Sequence, residues 1–129
     1  MSDKQARAVE IAVAYYRAWT TNDMDEAAKL LARDVVCHAP SGAIKGIDAV
    51  RSFMEPYAAS LTGTALLAAH GTGNEALLMY ETANRAVQHA PAAELYRIED
   101  NHISEIRIIF DRLPFALARG QVVAAWLLC

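Results

Sequence analysis

Tyr15-Tyr16-Arg17-Ala18-Trp19-Thr20-Thr21-Asn22-Asp23-Met24-Asp25, with Asp34-Val35-Val36-Cys37-His38-Ala39-Pro40-Ser41-Gly42 and Gly46-Ile47-Asp48-Ala49-Val50 behind it, decides how this chain folds. It reads as a helix, a sharp turn, a second helix, a short strand and a third helix. Upstream, Ser2 and Gln5 can form a capping box, in which each side chain accepts from the other's backbone N–H. Ala8, Ile11, Tyr15, Ala18 and Trp19 then recur at helical spacing until about Thr21. Asp23 with Glu26 repeats the capping signal, and Met24, Ala27, Ala28 and Leu31 supply the apolar face of helix two. Val35 to His38 is short and largely β-branched, so it reads as a strand that Pro40-Ser41-Gly42 breaks. Helix three is expected from about Ile47 to Ser60, with Val50, Phe53, Met54 and Tyr57 inward and a kink at Pro56, which lacks a backbone donor.

From Thr64 the period changes from helical to alternating, and Gly71-Thr72-Gly73-Asn74 and Asp100-Asn101 are turn signals. Four antiparallel strands are expected at about 64–71, 76–88, 92–99 and 102–110. Helices followed by a meander of strands imply a segregated α+β fold with the sheet curled around the helices. The tail from Phe115 to Cys129 is strongly apolar, and Val122 to Leu128 is costly to leave in water, so it is expected to pack on its own domain or on a partner.

The 129 residues suit one domain, 1–129, with a single core. At 54% hydrophobic, the chain carries surplus apolar area, which suggests an internal cavity, a subunit interface or both. The net charge of -3 and the scattered Lys and Arg exclude an electrostatic footprint for nucleic acid. No apolar run reaches the roughly 20 residues that span a bilayer, and the N-terminus lacks a basic segment followed by an apolar one. The expectation is a soluble cytoplasmic protein without membrane contact. Cys37 and Cys129 are then a reduced core thiol and a free end thiol. His70, His89 and His102 have no second ligand at helical spacing, so no metal site is expected.

The helix–turn–helix–strand–helix opening resembles the nuclear-transport-factor-two-like superfamily, a cone-shaped α+β barrel fold that includes SnoaL-like polyketide cyclases, ketosteroid isomerase and limonene epoxide hydrolase. Registering the chain on that pattern turns Tyr15, Phe53, Thr82, Asn84, Glu94, Tyr96, Ile108 and Phe110 toward an apolar pocket, with His38 and Trp19 at its rim or floor and Tyr57 in its wall. The resemblance implies that Tyr15 donates to a developing oxyanion and that Glu94 stands near the second donor. A carboxyl buried among Tyr96, Phe53 and Phe110 is pushed toward its neutral form and can act as donor or general acid. The other reading is a core tyrosine at Tyr15 and a strand-end glutamate at Glu94 that is solvated or paired with Arg97 or Arg107. The chain departs from the pattern at Ala39, where the isomerases carry their catalytic aspartate, and at Ile108, where cyclases and hydrolases carry theirs. The hydrolase pair of Arg and Asp two apart is also missing.

The resemblance, with these residues, implies a cofactor-independent isomerase or cyclase acting on a small hydrophobic carbonyl compound by proton transfer, with His38 as base and Tyr15 and Glu94 holding the oxyanion. The rival is a non-catalytic domain that binds an apolar ligand. Asp111 is read as capping the chain reversal before Pro114. The assembly expected is a homodimer built on the outer sheet face.

Overall fold

The capping box forms as the sequence requires: Ser2 N donates to Gln5 Oε1 at 3.0 Å and Gln5 N donates to Ser2 Oγ at 3.2 Å. In the computed structural model, which describes residues 2–120, this box starts α1 (Asp3–Thr20). The expected features at 121–129, including Cys129 and the run from Val122 to Leu128, lie outside the described residues. α1 ends in a Schellman turn: Asp23 N bonds Ala18 O at 2.8 Å, Asn22 N bonds Trp19 O at 3.1 Å, and Asn22 takes φ 61°. Asp23 then caps α2 (Met24–Lys29), accepting from Glu26 N. The third helix, α3, is Ile47–Ser60 and runs through Pro56.

Six strands follow the order β2-β1-β6-β5-β4-β3 in one sheet: β1 Leu31–Ala39, β2 Gly42–Lys45, β3 Gly63–Thr72, β4 Glu75–Ala83, β5 Ala90–Glu99 and β6 His102–Phe110. All neighbours are antiparallel except β1 and β6, which run parallel. No helix interrupts residues 64–110. The fold is α+β, with helices packed on a curved, unclosed sheet.

Four details differ from the sequence reading. β1 begins at Leu31 rather than Val35, because Leu31 pairs with Ile103 on β6 instead of extending the short second helix. The Pro40-Ser41-Gly42 break is a hairpin that returns as β2, an element the sequence reading lacked. β4 stops at Ala83, where Asn84 accepts from Val87 N at 2.7 Å and turns the chain. The start of the tail is a short helix, α4 (Leu113–Ala118), and Asp111 Oδ1 accepts from Leu113 N at 3.0 Å at its entry.

The core lies between α1, α3 and the concave sheet face, where Tyr15, Trp19, Val35, Val50, Leu78, Tyr96, Ile103 and Ile106 are almost wholly buried. Each such side chain contributes about 1.5–3 kcal/mol through its removal from water. β3 comes so close to α1 at Gly71 that an added Cβ would meet Gln5 O at 2.8 Å and Val9 Cγ2 at 2.9 Å. Glycine there sets the spacing between helix and sheet. No helix of the described residues is long and apolar enough to cross a membrane.

Candidate functional site

Strand parity builds the site. On β4, Ala76, Leu78, Tyr80 and Thr82 are buried while Leu77, Met79 and Glu81 are exposed, so the even positions face the helices. On β5, Glu94 pairs with Leu78 and Ile108, which puts Glu94 and Tyr96 on that same inner face. Tyr15 and Trp19, one helical turn apart on α1, cover them: the Tyr15 ring meets Tyr96 edge-on at 5.9 Å, and the Trp19 ring meets Tyr80 at 5.6 Å.

Glu94 is a charged residue type in the apolar core, at 1% exposure. Tyr96 donates its hydroxyl to Glu94 Oε2 at 2.6 Å. Burial raises the Glu94 pKa, and the neighbouring hydroxyls of Tyr96 and Tyr80 pull it back only in part. Burial, and then the Glu94 carboxylate, push the phenols of Tyr15, Tyr80 and Tyr96 well above their ordinary value, which keeps them protonated donors. The Tyr15 hydroxyl and Trp19 Nε1 are buried without a hydrogen-bond partner among the described residues. Cys37, an inward residue of β1, has its thiol pushed up to about 12 by burial and by Glu94.

An aromatic run joins this interior to the half-exposed end of the cone. Phe110 meets Phe115 of α4 at 5.6 Å, Phe115 meets Tyr57 at 5.8 Å, and Tyr57 meets Trp19 at 6.5 Å. Tyr57 is held by its hydroxyl bond to Thr82 Oγ1 at 2.5 Å, and Thr82 donates onward to Ala90 O. Two surface depressions lie elsewhere. One of about 500 Å³ is lined by Asn22, Asp25, Arg51 and Glu55, and one of about 440 Å³ by Arg17, Thr21, Glu26 and Lys29.

The structure therefore brings together Tyr15, Trp19, Glu94 and Tyr96, with Ile108 paired opposite Glu94, Tyr57 and its bonded Thr82 beside Trp19, and Phe110 at the far end of the aromatic run. Three expected site residues stand apart. His38 does not converge with Tyr15 and Glu94: Val35 and Cys37 occupy the inner parity of β1, so His38 faces the outer surface, where Nε2 lies 3.4 Å from Glu105 Oε1. Phe53 sits at the edge of the buried face of α3 and is 37% exposed, because Val50, Met54 and Ala58 take the inward positions. Asn84 lies beyond the end of β4, where its side chain bonds Ser60 Oγ and Val87 N rather than facing a pocket.

The sequence reading missed Tyr80, although it shares the parity of Thr82 and so carried the signal. The alternative pairing of Glu94 with arginine is absent. Arg97 and Arg107 instead meet Glu105 on the outer face, at 3.3 Å and 3.4 Å, and such partly exposed pairs contribute little. Among the described residues, no group of three His, Cys, Asp or Glu could hold a metal ion.

A crystal structure from Kribbella flavida DSM 17836, described only as a protein of known function, is 50% identical; it covers 88% of this chain and 93% of that one, with TM-score 0.84. A chain from Jannaschia sp. CCS1, provisionally named a SnoaL-like polyketide cyclase, is 13% identical over 95% of this chain and 98% of that one, with TM-score 0.80. A de novo designed protein with a curved β-sheet is 15% identical over 100% of both chains, with TM-score 0.78. At such identities the last two share the fold alone. No curated protein matches the sequence at a significant level. The SnoaL-like domain model matches residues 12–106, the span from α1 into β6 that carries Tyr15, Trp19, Tyr80, Glu94 and Tyr96. The chain belongs to the SnoaL-like domain family.

Proposed function

We propose that this domain takes a small hydrophobic carbonyl compound through its aromatic end and exchanges a proton with it without a cofactor, as an isomerase or cyclase does. The Tyr15 hydroxyl donates to the carbonyl oxygen and Glu94 carries the proton. The observation behind this reading is the Glu94 carboxyl, 1% exposed and with a raised pKa, next to a Tyr15 hydroxyl that has no partner among the described residues. A carboxyl in that setting gives up and recovers a proton nearer neutral pH than an exposed one. A donor already in place where negative charge develops lowers the barrier further. His38 has no part in this step, since it lies on the other face of β1.

A second reading, binding without chemistry, is favoured by the inner face of β1. It offers Cys37, with its thiol pushed up to about 12, and Ala39, neither of which can serve as a base near neutral pH. The two separate on α-proton exchange of hydrophobic ketones in D₂O, followed by NMR. Under the enzymatic reading, wild type accelerates exchange and Glu94→Gln loses about 10² to 10⁴ of the acceleration. Ketone binding with no acceleration by wild type leaves only the binding domain.

The assembly we infer is a homodimer through the outer sheet face. The pairs Ala68–Met79, Met79–Ala93 and Ala93–Ile109 run as one apolar row across four strands, with Met79 47% and Ile109 73% exposed.

A further inference from the structure

β3 is an edge strand left open along its whole length. It stands last in the sheet order and pairs only with β4. Among the described residues, no backbone bond other than those to β4 involves residues 63–72, so the N–H and C=O groups turned away from β4 have no partner there. Natural proteins guard such edges with charges, prolines, bulges or a covering element. Gly63–Thr72 contains no Lys, Arg, Asp, Glu or Pro, and its one bulge, between Leu66 and Ala68, leaves the apolar Leu67 52% exposed. None of the ten residues of β3 is buried.

The chain comes back to this edge after β6. Phe115 of α4 meets Phe110 on one side and Tyr57 on the other, the Tyr57 hydroxyl bonds Thr82 Oγ1, and Thr82 pairs with Thr64, the second residue of β3. α4 thus leads from β6 across to the start of β3. Gly120, at φ 72° and with its N–H on Leu117 O, ends that helix. Residues 121–129 follow, uncharged and apolar except for Gln121. Extended at about 3.3 Å per residue, they span about 30 Å, close to the length of β3. Val122, Ala124, Trp126 and Leu128 alternate with Val123, Ala125 and Leu127, so the stretch is apolar at both strand parities. The place beside β3 calls for that pattern. Its inner side is flanked by half-buried Val9 of α1, against Gly71, and its outer side by Ala68, where the apolar row through Met79, Ala93 and Ile109 begins.

We propose that residues 121–129 add to the open edge of β3 as a seventh strand, entering at its Gly63 end and running parallel to it. Main-chain bonds then close the edge, and the apolar side chains of the tail leave water. The chain's own tail is favoured over a second copy because the short path from α4 keeps it at high effective concentration beside Thr64.

The test uses the full chain labelled with ²H and ¹⁵N and carrying a nitroxide on Cys129. Cys37, the other cysteine, is buried with its thiol pushed up to about 12, so a methanethiosulfonate reagent takes the tail thiol. The expected paramagnetic broadening, read against the reduced label, is strongest at the amides of residues 68–72 and spares β2 at the opposite edge of the sheet. An equal mixture of spin-labelled ¹⁴N chain and unlabelled ¹⁵N chain should leave β3 sharp. Hydrogen exchange gives a second reading. Successive N–H groups of a strand point to opposite edges, so the double variant Val123→Pro/Ala124→Pro must remove a bond to β3; it should speed exchange of the edge amides of β3 by about tenfold, the scale of one net hydrogen bond. Broadening centred on Leu77, Met79 and Ile109 of the outer face, on β2, or nowhere in residues 2–120 overturns the proposal without recourse to any variant. Broadening of β3 in the mixed sample also overturns it, with the tail of a second copy as the occupant. So does unchanged exchange of β3 in the double variant.

Discussion

Replacing Glu94 with Gln should change how stability depends on pH, with a sign opposite to the usual one for a carboxylate. Most carboxyls are more acidic in the folded state, and their contribution is lost on acidification. Glu94 is the reverse, because burial raises its pKa above the ordinary 4.5 and the Tyr96 and Tyr80 hydroxyls offset that only in part. The folded chain therefore holds this proton to higher pH than the unfolded chain. Below about 4.5 the group is neutral in both states and imposes no penalty. As pH rises from there through the raised folded value, the unfolded state ionises first and wild type loses stability; above the folded value the loss levels off. One group can supply a slope of at most about 1.4 kcal/mol per pH unit. The amide that replaces the carboxyl keeps an oxygen for the Tyr96 donor and cannot titrate, so Glu94→Gln removes this slope and leaves every other group's in place. Urea unfolding of both proteins at half-unit steps from pH 4 to pH 8 gives the difference curve. The expected curve favours wild type most at acid pH and declines upward from about 4.5. A difference that is flat, or that grows in favour of wild type as pH rises, refutes the buried, raised carboxyl.

Tyr96→Phe removes the 2.6 Å donor to Glu94 and should cost about 1–3 kcal/mol at pH 7, with a smaller loss at pH 4.5, where the carboxyl it served is more nearly neutral. Combined with Glu94→Gln, the losses should fall short of their sum, as double-mutant urea melts can read. Gly71→Ala should destabilise by about 1–3 kcal/mol, because the new methyl meets the Gln5 carbonyl at 2.8 Å, and that oxygen moves only if α1 moves. Gly63→Ala on the same strand meets nothing within 4 Å and should show no such clash in thermal melts. Ile109→Glu places a charge on a side chain that is 73% exposed, so the fold should lose no more than about 0.5 kcal/mol while the proposed dimer dissociates. Sedimentation velocity reads the outcome, and a wild-type monomer at micromolar concentration refutes the interface.

Much of the site was legible because its signals are local. Glu94 and Tyr96 share one parity on β5, and Tyr15 and Trp19 share one face of α1, so backbone periodicity keeps each pair together and the resemblance to the family pattern supplied which face is inner. His38 was misplaced because Val35, Val36 and Cys37 are all apolar; a strand without alternation does not show which side is inward. Only the register of β1 on β6, with Cys37 opposite buried Ile106 and His38 opposite exposed Arg107, decides it. Phe53 was misplaced for a related reason: Val50, Phe53, Met54 and Tyr57 all fit a helical face, and packing against the core chooses the centre of that face.

The sequence by itself determined the three leading helices, their capping and turn residues and the change of period near Thr64. Each of these depends on contacts within a few residues or on the alternation of one strand. The parallel pairing of β1 with β6, the return of β2, the face given to His38, the helix at Leu113–Ala118, the burial of Glu94 and its bond from Tyr96 were decided only by tertiary structure. Those depend on which strands become neighbours, a choice among surfaces distant in sequence, and the free energy of burying them together has no counterpart in any short stretch of the chain.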